Sequence, residues 1–473
     1  MVMSFAKIID KSDPNSFRKV TKAGIKLNDV KEPVLMRDIF PYTEVPRITF
    51  EKKTVPMDPP DEIFITDTSF RDGQQGHKPY SPEQISDLFE LLNRLGGPKG
   101  VIRQSEFFLY SKKDQQSLEL CRKKGFRYPE ITGWIRANKE DFKLVKAAEL
   151  KETGILTSAS DYHIFLKLKW TRKKALENYL DIARSAIASE IIPRCHFEDI
   201  TRADIYGFVL PLAKELMNLQ EESGMPVKIR LCDTLGFGVT SEYAALPRSV
   251  PKLVYAMTHF AGVPKNQLEW HGHNDFYRVL VGASTAWLYG CAGANGTLLG
   301  YGERTGNTAV EALCIEYAQL TGGTNGMDLT AITDIVTYFT KNIKAKLSRT
   351  KPFVGDDFNV TRAGIHADGL LKDEEIYNIF DTKKILNRPV KVSITDKSGI
   401  AGLVYKINML FDLERKIDKT APGLPEMYAN IMKQYQEGRT TEVSDEEITV
   451  LVAEFMPQIV SCEYPKVEIR PKD

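Results

Sequence analysis

Residues 63–75 read "IFITDTSFRDGQQ". Four apolar or β-branched residues run into two acids, an arginine and a glycine. A short apolar run bounded by turn residues suits a strand buried on both faces. Polar residues crowded at its C-terminal end mark where α/β folds present their chemistry. What matters next is whether this strand stands alone or opens a series.

It opens a series. Comparable runs recur at 101–106 (VIRQSE), 130–135 (EITGWI), 154–159 (GILTSA), 191–197 (IIPRCHF), 227–233 (VKIRLCD), 268–273 (LEWHGH) and 290–297 (GCAGANGT). Between them, 82–95, 139–150 and 173–189 carry apolar residues at helical spacing. Strands alternating with helices in this number predict an α/β fold, a TIM (β/α)8 barrel over residues 61–347. An open doubly wound sheet is the competing architecture. The strand count and the polar residues at the strand ends favour the barrel.

Residues 1–60, charged and punctuated by proline, read as an N-terminal leader packing on the barrel. Beyond it the periodicity lapses in "LSRTKPFVGDDFNVTRAGIHADG" (347–369), which reads as a linker with a short docked element. Residues 372–380, 398–412, 422–437 and 444–459 read as helices. Residues 348–473 are therefore expected to form a linker and a mainly helical C-terminal subdomain.

Composition narrows the function classes. The 473 residues are 42% apolar with a formal charge of +1. That balance argues against a general nucleic-acid surface. No apolar run is long enough for a membrane span. The opening "MVMSFAKIIDKSDPNSFRKV" has early acids and no long apolar stretch, so it does not read as a signal peptide. Six cysteines (121, 195, 232, 291, 314 and 462) lie scattered without a CxxC pair. They suit free thiols in a reducing cytoplasm better than a disulfide framework or a thiolate zinc site.

The seventh strand ends in "EWHGHND" (269–275). Residues two apart in a strand share a face, so His271 and His273 point together and form half a metal site. Two histidines satisfied by hydrogen bonds are the plainer alternative. Asp72, just past the first strand, can complete the site, because the first and seventh strands of a closed barrel both flank the eighth. Two imidazoles and a carboxylate with open positions suit Mn²⁺, Mg²⁺, Fe²⁺ or Co²⁺ better than structural Zn²⁺. Amidohydrolases carry their HxH on the first strand, which here holds Arg-Asp instead.

Arg71 is either a strand-end ion pair or a cation that polarises a substrate oxygen, with Gln75 orienting the same substrate. Other strand ends supply Arg103, Glu106, Arg136, Ser158, Ser160, Asp161, His163, Glu198, Asp199, Arg202, Asp233 and Thr234. The loop "GTLLGYGERTGN" (296–307) after the eighth strand places Glu303 and Asn307 near the expected metal.

Four of these stretches, "DTSFRDGQQ", "FED", "HGHND" and "GYGERTGN", together resemble the metal-dependent TIM-barrel Claisen-condensing and lyase family. That family includes 2-isopropylmalate synthase, homocitrate synthase, citramalate synthase and hydroxymethylglutaryl-CoA lyase. The resemblance covers about 60–410. "FPYTEVPRI", "IRQSEFFLY", "TGWIRAN", "SASDYHIF", "PRCHFEDITRADIYGF" and "LPRSVPKL" resemble more closely a citrate-forming branch of it.

The resemblance implies a cytoplasmic acyltransferase that joins acetyl-CoA to oxaloacetate, giving citrate for the tricarboxylic acid cycle and free CoA. It implies a divalent ion on Asp72, His271 and His273, with Asn307 as a further ligand or close neighbour. Mn²⁺ or Co²⁺ comes first for that ion, with Mg²⁺, Fe²⁺ or Zn²⁺ as alternatives. Arg71, Glu198, His366 and Tyr377 take catalytic roles, and Gln75 and Thr234 bind substrate. Arg103 and Arg136 are expected on the distal carboxylate of the acceptor, since a guanidinium grips a carboxylate with two hydrogen bonds. His366 and Tyr377 would come from the partner subunit of a homodimer with shared active sites. No nucleic acid or membrane partner is expected.

Alternative acceptors are 2-oxoglutarate, as in homocitrate synthase, and the 2-oxo acids of isopropylmalate and citramalate synthases. A lyase and a non-catalytic dimeric scaffold complete the field. Gln74 stands where many relatives carry an acid, and no leucine-sensing domain is read, so leucine feedback is not expected.

Overall fold

The apolar runs become parallel strands, and the strands close on themselves. In the computed structural model, which describes residues 7–76 and 78–460, the barrel strands are β1 (Phe64–Asp67), β2 (Ile102–Phe107), β3 (Glu130–Ile135) and β4 (Glu152–Ser158). They continue as β5 (Ile192–Glu198), β6 (Lys228–Asp233), β7 (Leu268–Gly272) and β8 (Gly293–Gly296). Their closed order is β8-β1-β2-β3-β4-β5-β6-β7. The seam closes where Gly293 pairs with Phe64 and Gly296 with Asp67. A side chain at Gly293 would press on Glu269 and Phe64, so β8 is built from small residues to let its neighbours approach.

A helix follows each strand: α1 (Pro82–Gly96), α2 (Lys112–Lys123), α3 (Phe142–Ala147), α4 (Arg172–Ile187), α5 (Leu210–Ser223), α6 (Val250–His259), α7 (Val279–Tyr289) and α8 (Val310–Thr321). Helix α1 shows why the chain turns helical there. Ser81 and Gln84 form a reciprocal capping box, Pro82 occupies the first turn, and Ile85, Leu88, Phe89, Leu92 and Leu95 bury one face. Helix α3 is shorter than the expected 139–150. A 3₁₀ turn at Lys139–Asp141 precedes it, and Glu149, with φ of 52°, lies just beyond its end.

Outward strand residues such as Ile65, Ile155, Phe197, Ile229, Leu231 and Trp270 fill the shell between strands and helices. The inside of the barrel differs from the usual stack of branched apolar side chains. Gln104, Glu106, Glu152, Arg194, His196, Arg230 and Glu269 are all buried there.

The leader runs beside the C-terminal ends of the strands. Val34 N donates to Asp161 at 2.7 Å, Tyr162 Oη donates to the Leu35 carbonyl, and Ile39 and Phe40 pack on Phe237. Further along, Glu51 accepts from Lys252 Nζ at 2.8 Å and from Phe17 N at 3.0 Å.

Residues from Lys344 form a second compact unit. Its core gathers Leu403, Ile407, Leu424, Met427, Ile431, Ile448 and Val452. After α9 (Ala331–Lys341), its helices are α10 (Gly364–Lys372), α11 (Thr382–Leu386), α12 (Gly399–Leu410), α13 (Leu424–Gln436) and α14 (Asp445–Phe455).

Two expectations are corrected here. The stretch holding "AGIHADG" is helix α10 rather than linker. Its glycines lower helix propensity, but Gly364 lies against the backbone of Ser398 and Gly399, and Gly369 against the Tyr377 ring. Residues 372–380, expected to be helical, form only a 3₁₀ turn at Glu374–Ile376. Asp373 is extended there and caps Glu375, which stops α10.

Cys121, Cys195, Cys232, Cys291 and Cys314 are free and buried, and Cys462 lies outside the described residues. Among the described residues no helix is long and apolar enough to cross a membrane.

Candidate metal centre and barrel mouth

At the C-terminal end of the barrel, β7 delivers His271 and His273, and the turn after β1 delivers Asp72. Among the described residues these three form the one cluster of metal-ligating type, with ligand atoms all within 4.8 Å of one another. The two Nε2 atoms are 3.3 Å apart and lie 3.7 and 3.9 Å from Asp72 Oδ2. His271 Nδ1 sits 2.7 Å from Asn295 Oδ1, which assigns the ring proton to Nδ1 and turns the Nε2 lone pair to the centre.

Burial pushes the His271 pKa down to about 3 and lowers that of His273 as well, in each case against the pull of Asp72. Both imidazoles are therefore neutral lone-pair donors. Burial alone would raise Asp72. Arg71, both histidines and Asn307 outweigh it and hold the carboxyl well below its ordinary value.

These residues fit a divalent cation. Asn307 Nδ2 donates to Asp72 Oδ2 at 2.5 Å, while the buried Asn307 Oδ1 has no hydrogen-bond partner. A carboxylate, two imidazole lone pairs and an orphaned amide oxygen make a set of acceptors with too few donors. Asp72, His271 and His273 would hold the ion, with Asn307 beside them.

Arg71 stands next to this centre. Its Nη1 donates to Asp72 Oδ1 at 3.3 Å and its Nε to Glu106 Oε1 at 2.9 Å. Glu106 also accepts from Arg194 Nη2 at 2.7 Å and Arg230 Nη1 at 3.1 Å. Below it, Arg230 Nη2 reaches Glu269 at 3.1 Å, Arg194 Nη1 reaches Glu152 at 2.7 Å, and Lys228 reaches Glu152 at 2.6 Å. Burial would raise Glu106, but Arg230, Arg71 and Arg194 hold its carboxyl well below the usual range. This column of buried charge was not read from the sequence beyond Glu106. Its arginines lie mid-strand, where an apolar filling is the default.

On the far side of the mouth, Glu198 Oε2 accepts from Ser158 Oγ at 2.5 Å and lies 2.9 Å from His163 Nδ1. Burial opposes its ionisation, but His163, Ser158 and Lys167 bring it down to about 2. Asp199 backbone N donates to Thr234 Oγ1 at 2.8 Å, which ties Thr234 to the same rim. Asp199 also accepts from Ser160 and Arg202. Asp233 is buried and turned to Thr201 and the Gly238 amide.

Several expected residues are not brought together. Arg103 is the second residue of β2 and points away from the mouth. It pairs with Glu62 at 2.5 Å and lies over Phe64 and Tyr128, all at the N-terminal end of the barrel. Arg136 does stand at the mouth, but it is 64% exposed and binds Asp141 with two nitrogens. Gln75 is exposed, as is Glu303, which pairs with Arg304. In the second unit, His366 and Tyr377 lie together with ring centroids 4.3 Å apart.

Residues 62–338 match the HMGL-like family. The chain belongs to that family. It is 57% identical over 447 residues to a citrate (Re)-synthase of Syntrophus aciditrophicus, covering 94% of this chain and 71% of the relative. It is 52% identical over 437 residues to a citrate (Re)-synthase of Clostridium kluyveri, covering 92% and 96%. A 2-phosphinomethylmalate synthase of Streptomyces hygroscopicus follows at 35% over 429 residues, covering 89% and 96%.

Gln74 now has a local account for this family member. Its Nε2 donates to the Phe70 carbonyl at 2.6 Å, and its Oε1 accepts from Tyr80 N at 3.0 Å. An amide can do both at once, whereas an ionised carboxylate has no proton for the carbonyl.

Proposed function

We propose that the chain is an acyltransferase condensing acetyl-CoA with oxaloacetate to give citrate and CoA. The observation that carries this reading is a likeness at 57% and 52% identity to two citrate (Re)-synthases, spanning most of this chain. The Asp72–His271–His273 cluster beside Arg71 supplies matching chemistry. When bound there, a divalent ion, Mn²⁺ or Co²⁺ by preference, supplies Lewis-acid polarisation of the acceptor ketone.

The chain's own groups do the rest. Arg71, braced by Glu106 and Asp72, offers its remaining N–H groups to the oxygen on which negative charge grows. Thr234 Oγ1 accepts from Asp199 and donates only weakly to the Cys232 carbonyl at 3.4 Å, so its proton is available to an acceptor carboxylate. Glu198 is ionised at neutral pH and takes up or hands on a proton at Oε2, with His163 Nδ1 alongside.

His366 and Tyr377 serve the active site of a second copy in a homodimer. Support comes from the exposed apolar residues around them, Ile365 at 74% and Ile379 at 66%, which suit burial against another chain. The enzyme works in the cytoplasm, and its citrate enters the tricarboxylic acid cycle.

The test is CoA release from acetyl-CoA under anaerobic conditions with Mn²⁺ or Co²⁺, across oxaloacetate, 2-oxoglutarate, pyruvate and 2-oxoisovalerate. Turnover fastest with oxaloacetate is expected. No turnover with oxaloacetate, or faster turnover with another acceptor, overturns the reading.

A further inference from the structure

The correction at Arg103 and the pairing of Arg136 with Asp141 leave one end of the acceptor without the recognition expected for it. Oxaloacetate is a dicarboxylate. One end belongs at the metal centre, with Arg71 and Thr234. The other carboxylate must find a donor on the opposite wall, and the strand order says which wall that is. In the closed order, β3 lies four strands from β7 in either direction, diametrically across from the two histidines.

Strand β3 turns two polar atoms inward, one of them already engaged. Thr132 faces the barrel interior, where its Oγ1 accepts from Arg194 Nη2 at 3.2 Å. Side chains two apart in a strand share a face, so Trp134 also points inward, one layer nearer the mouth. Its indole lies against Arg71, whose guanidinium carbon is 5.5 Å from the ring centroid. Its strand neighbour across the β3–β4 pair is Gly154, over which His196 Nε2 and Glu106 Oε2 pack. The indole Nε1 is buried and has no hydrogen-bond partner. An indole N–H can only donate, and a buried donor without an acceptor is costly unless something arrives to accept from it.

We infer that Trp134 Nε1 donates to the distal carboxylate of the acceptor and selects a four-carbon dicarboxylic 2-oxo acid over monocarboxylic ones. This rests on the condensation proposed above. It adds a specificity residue in the position the arginines were expected to fill. The neighbouring Arg71 guanidinium, held by Asp72 and Glu106, lies over the same ring.

Trp134→Phe removes the N–H and keeps an aromatic ring. In the Mn²⁺-loaded protein, calorimetric binding of oxaloacetate and its KM should each weaken about 10- to 100-fold, the range for a hydrogen bond to a charged group. Pyruvate binding and the KM for acetyl-CoA should stay unchanged. Equal weakening of oxaloacetate and pyruvate, or no change in either, overturns the inference and leaves the N–H to Phe108, whose ring stands perpendicular to the indole at 5.7 Å.

A second measurement uses the unmodified protein. The chain has four tryptophans, so a ¹⁵N-indole spectrum holds few resonances. The Trp134 resonance should move downfield with oxaloacetate and stay put with pyruvate, and an unmoved resonance with bound oxaloacetate refutes the contact. Wild-type protein inactive with oxaloacetate in the CoA-release assay counts against the condensation itself, whereas active wild type with an indifferent Trp134→Phe counts against this residue alone.

Discussion

Two arcs of the barrel interior solve the problem of buried polar atoms in opposite ways. On the β7–β8–β1 side, acceptors are left over: the lone pairs of His271 and His273, the Asp72 carboxylate and the orphaned Asn307 Oδ1. Around the rest of the ring carboxylates and cations meet one another, with Glu269 of β7 joining them from below the histidines. Arg194, Arg230 and Lys228 stand against Glu106, Glu152 and Glu269, three charges of each sign. A surplus of acceptors calls for a cation from outside, whereas a balanced column needs nothing and serves as support. Similar residue types thus make a binding site on one wall and a scaffold on the other.

The sharpest way to break the contrast is to remove an acceptor. Asp72→Ala or His273→Ala should strip the metal and cost roughly 10³-fold in activity, read by metal content and CoA release. The folded state should persist, because the column is untouched.

Removing a member of the column should do the reverse. Glu106→Ala leaves Arg71, Arg194 and Arg230 facing one another, and a loss of about 3–5 kcal/mol is expected in urea unfolding. Unchanged stability would mean the column is not a support.

Glu198, at the end of β5, belongs to neither set. Glu198→Gln should lower kcat about 10²- to 10⁴-fold with the metal retained. Its carboxyl is depressed from an ordinary 4.5 to about 2 in the folded chain. The stability it contributes is therefore present above pH 4.5 and lost as pH falls toward 2. In unfolding measured against pH, the variant should lack that acid-side loss.

Gln74→Glu takes the donor from the Phe70 carbonyl and should cost about 1 kcal/mol, seen as a lower melting temperature with little change in metal affinity. Arg103→Ala should leave the KM for the acceptor unchanged, since its partners lie at the other end of the barrel.

The meeting of Asp72, His271 and His273 was legible because a spacing of two on a strand fixes a face, and because closure brings the first and seventh strands to either side of the eighth. Arg103 and Glu106 were read as one group, yet three residues apart in a strand means opposite faces. Glu106 faces inward, so Arg103 cannot. The column was illegible because Arg194 and Arg230 have polar neighbours only after eight strands close, and a single strand shows nothing of that. The α10 helix was missed because Gly364 and Gly369, which argue against helix locally, are there to let other chain segments approach. Trp134 read as one apolar residue in a buried run, and only the register on β3 shows its N–H to be without a partner.

The centre also straddles the seam of the barrel. Asp72 comes from the chain that enters the barrel first, and His271, His273 and Asn307 from the chain that completes it, with β8 paired to β1 between them. A cation gripped by both ends works as a clasp on the ring. With an ion bound there, the barrel could not open at that joint without giving it up, and the ion could lodge only after the last strand has arrived. Metal uptake during refolding would then be a clock for closure, separate from any turnover.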